Sequence, residues 1–191
     1  MPALQPRTTT SVNMIRPHMA GLPAPFFPDG YGIRPMSLDD IGLWTDIEID
    51  AEPFVTIKPT LFREQFGSDP EAVPKRCFIL TDARGLGVGT ISAWYSRDFR
   101  GLDYGRIHWV AVRPAHQGKG VARAGLAYAM RVLEQWHERA YLVTAIERVG
   151  AIKLYLDFGF APDLEPEGAR AVWAEFAKAH PHPLVETTLS V

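Results

Sequence analysis

One segment in the middle of the chain, residues 106–136, constrains the fold most strongly. A β-rich run ends at Arg113 and Pro114 and is followed by a turn that contains Gly118 and Gly120. Beyond the turn, apolar residues recur at the spacing of an amphipathic helix: Ala122, Leu126, Ala129, Met130, Leu133 and Trp136. The pattern therefore predicts a strand, a glycine turn and the start of a long helix in direct succession.

The start of such a helix presents backbone N–H groups without intrahelical partners and carries a partial positive charge. Glycines let the backbone come close to a bound anion. The turn therefore predicts a cradle for a phosphate or pyrophosphate, although an ordinary tight turn has the same composition. Two common phosphate loops do not fit. A Walker loop would need glycine where Arg113 stands, and a dinucleotide fingerprint would need it where Arg123 stands.

Patterns on both sides of this segment predict a mixed sheet. Two β-rich runs, residues 75–82 and 87–96, are separated by a short turn and predict an antiparallel hairpin. Downstream, a strand pattern at 140–146 is followed by a helical pattern at 148–157, and residues 184–191 are interpreted as a closing strand. Early hairpins and later β–α alternation indicate an α/β or α+β domain.

The first 30 residues differ from the rest. They hold six of the chain's 16 prolines and no acidic residue before Asp29. Proline fixes φ and lacks an N–H donor, so we expect residues 1–30 to be a proline-rich arm that is flexible or draped over the surface. A lid or an arm exchanged with a partner copy are alternatives. Residues 31–191 are expected to form the single domain that a chain of 191 residues allows.

Composition excludes several classes of protein. Twenty Lys plus Arg against 22 Asp plus Glu give a net charge of -2, without the basic excess of a nucleic-acid binder. No apolar run approaches the roughly 18 residues of a membrane span. The single cysteine, Cys77, excludes an internal disulfide or a cysteine metal cluster. We expect a soluble, cytoplasmic protein with no nucleic-acid, membrane or metal partner.

Four short motifs follow one another along the chain. They are Ile-Arg-Pro at 33–35, Trp-Val-Ala-Val-Arg-Pro at 109–114, Gln-Gly-Lys-Gly-Val-Ala at 117–122 and Ala-Ile-Lys-Leu-Tyr-Leu-Asp-Phe-Gly-Phe at 151–160. In this order and spacing they resemble the GCN5-related N-acetyltransferase (GNAT) superfamily. The motifs are similar to its usual opening, the strand before its signature, the Gln/Arg-x-x-Gly-x-Gly/Ala signature and its later Ala-Ile-x-Leu-Tyr-x-x-x-Gly-Phe element. The resemblance covers residues 31–165.

The resemblance implies the acyl-CoA N-acyltransferase fold, a mixed, mostly antiparallel and V-splayed sheet flanked by helices. Acetyl-CoA would lie in the splay as cosubstrate, and its acetyl group would pass to an amine, the chemistry of class EC 2.3.1.-. The implied cofactor contacts are Val110, Ala111, Val112, Gln117, Gly118, Lys119, Gly120, Val121, Ala122 and Arg123.

The resemblance also implies catalytic residues. Tyr155 occupies the family position that commonly protonates the departing thiolate, and a phenol with a pKa near 10 is protonated at neutral pH. His108 stands at the offset of a relay histidine in arylalkylamine acetyltransferases and is a candidate general base. Glu48, Glu52 and Glu147 are further candidates, and many members of the superfamily use no dedicated base.

The acceptor end is left open by the sequence. Arg148 stands where the family often has asparagine, and we expect it to contact the cofactor or the substrate by charge. A small-molecule amine and a peptide amine both remain candidate acceptors, and a homodimer is left open. Two alternative functions also remain, a non-catalytic acetyl-CoA sensor or scaffold and transfer of a longer acyl group.

Overall fold

A computed structural model describes residues 9–191, so the expectation for residues 1–8 of the arm lies outside the described part. Seven strands are present there: β1 (Ser11–Arg16), β2 (Gly32–Pro35), β3 (Cys77–Thr81), β4 (Gly87–Phe99), β5 (Leu102–Val112), β6 (Ala140–Ala145) and β7 (Ala161–Pro162). Seven α-helices accompany them: α1 (Ile41–Ala51), α2 (Leu61–Phe66), α3 (Ala72–Arg76), α4 (Val121–Leu133), α5 (Val149–Asp157), α6 (Ala169–Ala179) and α7 (Pro183–Leu189). None of the helices in this range is both long enough and apolar enough to cross a membrane.

The strands form one sheet in the order β2-β3-β4-β5-β6-β1-β7. Every neighbouring pair is antiparallel except β5 and β6, which are parallel. That pair is short, with only Gly105 opposite Ala140 and Arg106 opposite Tyr141. The two halves of the sheet therefore separate beyond Arg106. The expected mixed, mostly antiparallel and splayed sheet is confirmed.

Helices cover both faces of the sheet. On one face α4 packs against β4 and β5, and Leu126 and Met130 of its apolar stripe are fully buried. On the other face α1 and α2 enclose a second cluster, in which the Trp44 and Phe62 rings meet edge to face with centroids 5.2 Å apart. Strands β4 and β5 are thus packed on both faces, and they line the site described below.

The interpretation of residues 1–30 as an arm outside regular structure is wrong for residues 11–16. These residues form β1, which pairs with β6 along its full length and with β7 on its other side. Val12 and Met14 are buried in the main core, in the period-two pattern of a strand. Arg16 is also buried and donates to the carbonyls of three residues, His18, Ala20 and Phe158. The strand is short and has prolines on both sides, so the alternation of apolar and polar residues is too brief to predict a strand from the sequence.

The predicted closing strand is also wrong, because the chain ends in helix α7. Pro183 occupies the first helical turn, where its missing N–H costs nothing. The His182 ring caps the helix by accepting from the N–H of Leu184 at 3.2 Å. Val185 is buried against the core. The β-branched composition of this segment is overridden by the cap and by packing on α6.

Candidate active site

A cleft of about 310 Å³ lies where β5 leaves β6. Its floor is β5, one side is formed by β6 and the start of α5, and the other by α1 and the residues after it. It brings together side chains that are far apart in the chain: Glu48, Glu52, Arg106, His108, Arg148 and Tyr155. Both predicted catalytic residues, Tyr155 and His108, therefore lie in one cavity.

A bulge in β5 shapes the floor of the cleft. Thr90 of β4 is opposite Ala111 and Ser92 is opposite His108, so Trp109 and Val110 share one position on β5. Trp109 has a φ of +47°, unusual for a residue with a side chain. Val110 is in register with neither β4 nor β6, and its backbone is thereby turned out of the ladder.

The predicted phosphate turn forms a second, smaller concavity of about 240 Å³. Gly118 and Gly120 have φ values of +72° and +81°, which residues with a side chain rarely adopt. Within residues 9–191, the hydrogen bonds of α4 begin with the N–H of Ala124 donating to Gly120 at 3.0 Å, and the amides of residues 118–123 have no protein acceptor. These amides form the anion-binding arrangement expected of a helix start.

Five other predicted cofactor contacts line this concavity. They are Val112, Gln117, Val121, Ala122 and Arg123, which lie there together with the two glycines. Gln117 also ties the turn to β5, since its side-chain amide donates to the carbonyl of Val112 at 2.8 Å. Arg123 forms an ion pair with Asp157 at the surface.

Two of the predicted contacts lie outside the concavity. Lys119 is exposed beside it and does not line it. The Ala111 side chain is buried in the cluster against α1, so only the backbone of Ala111 is available to a ligand.

Glu48 is a buried carboxylate in the cleft. The residue lies on α1 and is only 2% exposed. Its Oε1 accepts a hydrogen bond from the Thr90 hydroxyl at 2.6 Å. Burial raises the pKa of Glu48 to about 7, and the charge of Glu52 acts in the same direction. The hydrogen bond from Thr90 opposes this shift but does not cancel it.

Arg148 and Glu52 form an ion pair across the mouth of the cleft. Arg148 precedes α5, and its Nη2 lies 2.5 Å from Oε2 of Glu52, whose side chain is only 4% exposed. The guanidinium also lies over the Phe54 ring at 5.3 Å. Arg148 therefore has an internal counter-ion, and Glu52 is engaged with it. Glu147, in contrast, accepts from the backbone of Thr10 and does not line the cleft.

His108 lies in the cleft, but its surroundings make the imidazole a weak base. Burial, assisted by the charge of Arg106, lowers the pKa of His108 to about 3. Its Nε2 lies 3.0 Å from Oε1 of Gln65, which also accepts from the Trp109 indole at 3.3 Å. Because that oxygen accepts, Nε2 carries the proton and Nδ1 is the remaining acceptor. The imidazole is therefore neutral and weakly basic.

Tyr155 is buried in the wall of the cleft on α5. Burial raises the pKa of Tyr155 to about 12, with a smaller contribution from the charge of Glu48. The phenol therefore keeps its proton throughout the neutral range.

Three side chains of the site had no role in the sequence analysis. Gln65 and Thr90 come from α2 and β4, 43 and 42 residues away from the groups they bind, and nothing in their neighbourhood marks them. Arg106 stood out only as the first residue of the segment 106–136. Cys77 is buried in the core, and burial raises the pKa of its thiol to about 12.

Comparison with known proteins agrees with this architecture. A family model, described as the acetyltransferase (GNAT) family, matches residues 43–160, more than half of the chain. No curated protein matches the sequence. Among solved structures, a GCN5-related N-acetyltransferase from Sphaerobacter thermophilus matches with a TM-score of 0.63 and 24% identity, over 80% of this chain and 48% of that one. This chain thus spans about half the length of that protein.

Two further structures show the same likeness. An acetyltransferase of the GNAT family from Novosphingobium aromaticivorans matches with a TM-score of 0.56 and 18% identity, over 82% of this chain and 61% of that chain. A chain of the NatC complex bound to Gag peptide and CoA matches with a TM-score of 0.56 and 17% identity, over 67% of this chain and 82% of that one. At these identities the likeness shows a shared fold.

Proposed function

The chain belongs to the acetyltransferase (GNAT) family, and we propose that it transfers the acetyl group of acetyl-CoA to an amine by direct attack in a ternary complex. One observation carries the proposal. The glycine turn and the cleft lie at the two ends of the same stretch of β5, whose edge is free of β6 beyond Arg106. A long, flexible cosubstrate with a pyrophosphate at one end and a reactive group at the other fits that arrangement.

The residues present fit acetyl-CoA, which supplies an acetyl group activated as a thioester. The free amides of residues 118–123 would hold the pyrophosphate, assisted by the helix start and by Arg123. The backbone of Val110 and Val112 would hydrogen-bond to the extended arm, in the manner of an added strand. This orientation would bring the thioester to the bulge in β5, beside Tyr155.

Glu48 is a better candidate for the general base than His108. A base must be ionised and close in pKa to the working pH, and the pKa of Glu48, about 7, meets that condition. With a pKa near 3, His108 would accept a proton poorly. We assign Glu48 to accept the proton of the acceptor ammonium, directly or through a water, and His108 to orient the acceptor or that water through Nδ1.

Tyr155 is assigned as the acid. As the acceptor nitrogen forms its bond to the acetyl carbon, the carbon–sulfur bond breaks, and Tyr155 donates its proton to the departing sulfur. The acceptor nitrogen loses two protons between ammonium and amide, the first to Glu48 before the attack and the second to solvent as the amide forms. Solvent takes the proton from Glu48 and returns one to Tyr155, so each turnover releases one proton to solvent and needs no further reactant.

Amine-dependent release of free thiol from acetyl-CoA tests this function. The panel contains small primary amines, amino acids and peptides, the last because a fold relative is known in complex with a peptide. Amine-dependent release supports the proposal, and comparison with propionyl- and butyryl-CoA separates acetyl transfer from transfer of a longer acyl group. Tight coenzyme A binding without release from any acyl-CoA favours the sensor instead. A cytoplasmic location and a homodimer stay predictions.

A further inference from the structure

Arg106 is a charged residue of the cleft, and the proposed acetyl transfer assigns no role to it. It lies on β5 at the last residue pair with β6, where the sheet opens, and it is one of the residues that line the cleft. Its Nε is buried and has no hydrogen-bond partner among residues 9–191. Within the same residues, the guanidinium contacts the face of the Tyr141 ring at 5.5 Å but meets no carboxylate.

Other buried or partly buried arginines have acceptors within the protein. Arg148 is paired with Glu52 and Arg100 with Asp163, whereas Arg16 and Arg76 donate to backbone carbonyls. Burial without such a partner lowers the pKa of Arg106, which means that the folded protein disfavours this charge. A guanidinium does not lose its proton in the neutral range, so the protein retains a poorly solvated cation here. An anion bound in the cleft would supply the missing partner.

The position of Arg106 relative to the proposed reaction centre sets the kind of anion. Arg106 and His108 are two residues apart and share one face of β5, so their Cα atoms are about 6.6 Å apart. The acidic side chains of Glu48 and Glu52 line the same cleft from α1 and the residue after it. The cleft therefore has carboxylates near the proposed site of amine attack, and a cation without a counter-ion among the described residues farther along β5.

We propose that Arg106 binds a carboxylate of the acceptor, so that the acceptor is a small amino acid with its amine and carboxylate on one short chain. The assignment deepens the proposed acetyl transfer and rests on it. A guanidinium holds a carboxylate through two parallel hydrogen bonds, which fixes both position and orientation. A peptide amino terminus has an amide where this site requires a carboxylate, so peptides are poor acceptors.

Pairs of acceptors that differ only in the carboxylate test the proposal in the parent protein. β-Alanine is compared with propylamine, and γ-aminobutyrate with butylamine, at pH 8 and saturating acetyl-CoA. A charge-assisted hydrogen bond of about 1.5–3 kcal/mol corresponds to a roughly 10- to 150-fold preference. We expect kcat/KM to favour at least one amino acid over its matched amine by tenfold or more, mainly through KM.

Arginine variants connect the preference to the residue. In Arg106→Gln the ratio of amino acid to matched amine falls close to one, and Arg106→Lys recovers part of it. Arg97→Gln is the control, because Arg97 is an exposed arginine of the neighbouring strand β4 and does not line the cleft. It should keep the parent's ratio.

A binding measurement gives a second readout that does not depend on turnover. With coenzyme A present, β-alanine or γ-aminobutyrate should raise the melting temperature of the parent and of Arg97→Gln, but not that of Arg106→Gln. Equal kcat/KM values within both acceptor pairs in the parent, or an unchanged ratio in Arg106→Gln, would overturn the assignment. Failure of every amine to release thiol would instead contradict the proposed transfer itself.

Discussion

The glycine turn before α4 and the cleft beside it are built in opposite ways. The turn uses backbone groups from one continuous stretch, residues 117–123, and its chemistry depends on two left-handed glycines. The cleft uses side chains from α1, α2, β4, β5 and α5, which only the fold brings together. In the proposed function, the cosubstrate end of the site is thus encoded locally, and the acceptor end is encoded by tertiary packing.

This comparison predicts different consequences of mutation at the two ends. A change in the turn should affect coenzyme A binding, and a change in the cleft should affect turnover with coenzyme A binding retained.

Gly120→Val should abolish measurable coenzyme A binding, a loss of at least 100-fold in affinity. Gly120 has a φ of +81°, which a β-branched residue adopts only with strain, so the amides of the turn would move. Calorimetric titration with coenzyme A measures the effect. Gly101→Val is the matched control, since Gly101 has a φ of +72° in the β4–β5 hairpin, away from the turn. It should lose stability but bind coenzyme A, and unchanged binding in Gly120→Val would contradict the cradle.

Tyr155→Phe should lower kcat by about 10²- to 10⁴-fold, the range of a general acid. Its affinity for coenzyme A should change less than threefold, because the phenol is assigned to the sulfur and not to the pyrophosphate. Steady-state kinetics and calorimetry together test this. Parent-like kcat in a variant with native melting behaviour would remove Tyr155 from the mechanism.

Glu48→Gln should lower kcat at pH 8 by about 10²-fold, whereas His108→Asn should lower it less than tenfold. The parent's kcat should rise with pH through about 7 as Glu48 loses its proton, and the variant at position 48 should lack this rise. A pH–rate profile from 5.5 to 9 distinguishes the two residues. A larger loss in the His108 variant, with the rise retained in the Glu48 variant, would return the base to His108.

The smallest expected effect is on stability, and here Glu48→Gln should stabilise the protein, whereas the preceding substitutions impair binding or turnover. Burial raises the pKa of Glu48 from 4.5 to about 7, so the folded state holds its proton more tightly than the unfolded chain does. Below about pH 4.5 the carboxyl is protonated in both states and contributes nothing. Between pH 4.5 and about 7 the carboxyl ionises in the unfolded chain but not in the folded protein, so stability falls by up to about 3 kcal/mol and is then constant at higher pH. Glu48→Gln should therefore raise the free energy of unfolding at pH 8 and leave it nearly unchanged at pH 4.5.

Urea unfolding of the parent and Glu48→Gln at the two pH values measures this difference. Aspartate at position 50 provides a matched control, because Asp50 is more exposed and forms an ion pair with Arg113. Asp50→Asn should not stabilise the protein at pH 8. Equal unfolding free energies of parent and Glu48→Gln at pH 8 would show that Glu48 ionises without cost.

The sequence predicted the fold and the turn from local patterns, but it could not choose between His108 and the glutamates as the candidate base. The turn depends on Gly118 and Gly120, and helix α4 depends on the spacing of its apolar residues. Both are local patterns that can be recognised from neighbouring residues in the sequence. The pKa of Glu48 depends on burial beneath β4 and on Thr90, and that of His108 on burial near Arg106, so neither could be read from neighbours in the chain. Strand β1 was missed because tertiary pairing with β6, and not its own composition, makes it a strand.

The measurement that tests the central claim most directly is a single turnover followed by mass spectrometry. The protein, in excess, is mixed with acetyl-CoA, its mass is recorded, and an acceptor amine is then added. Direct attack predicts no acetylated protein before the amine is added, and afterwards one free thiol for each acetylated amine, both appearing at the same rate. A protein heavier by one acetyl group before the amine is added, or bound acetyl-CoA that never yields acetylated amine, would contradict the account.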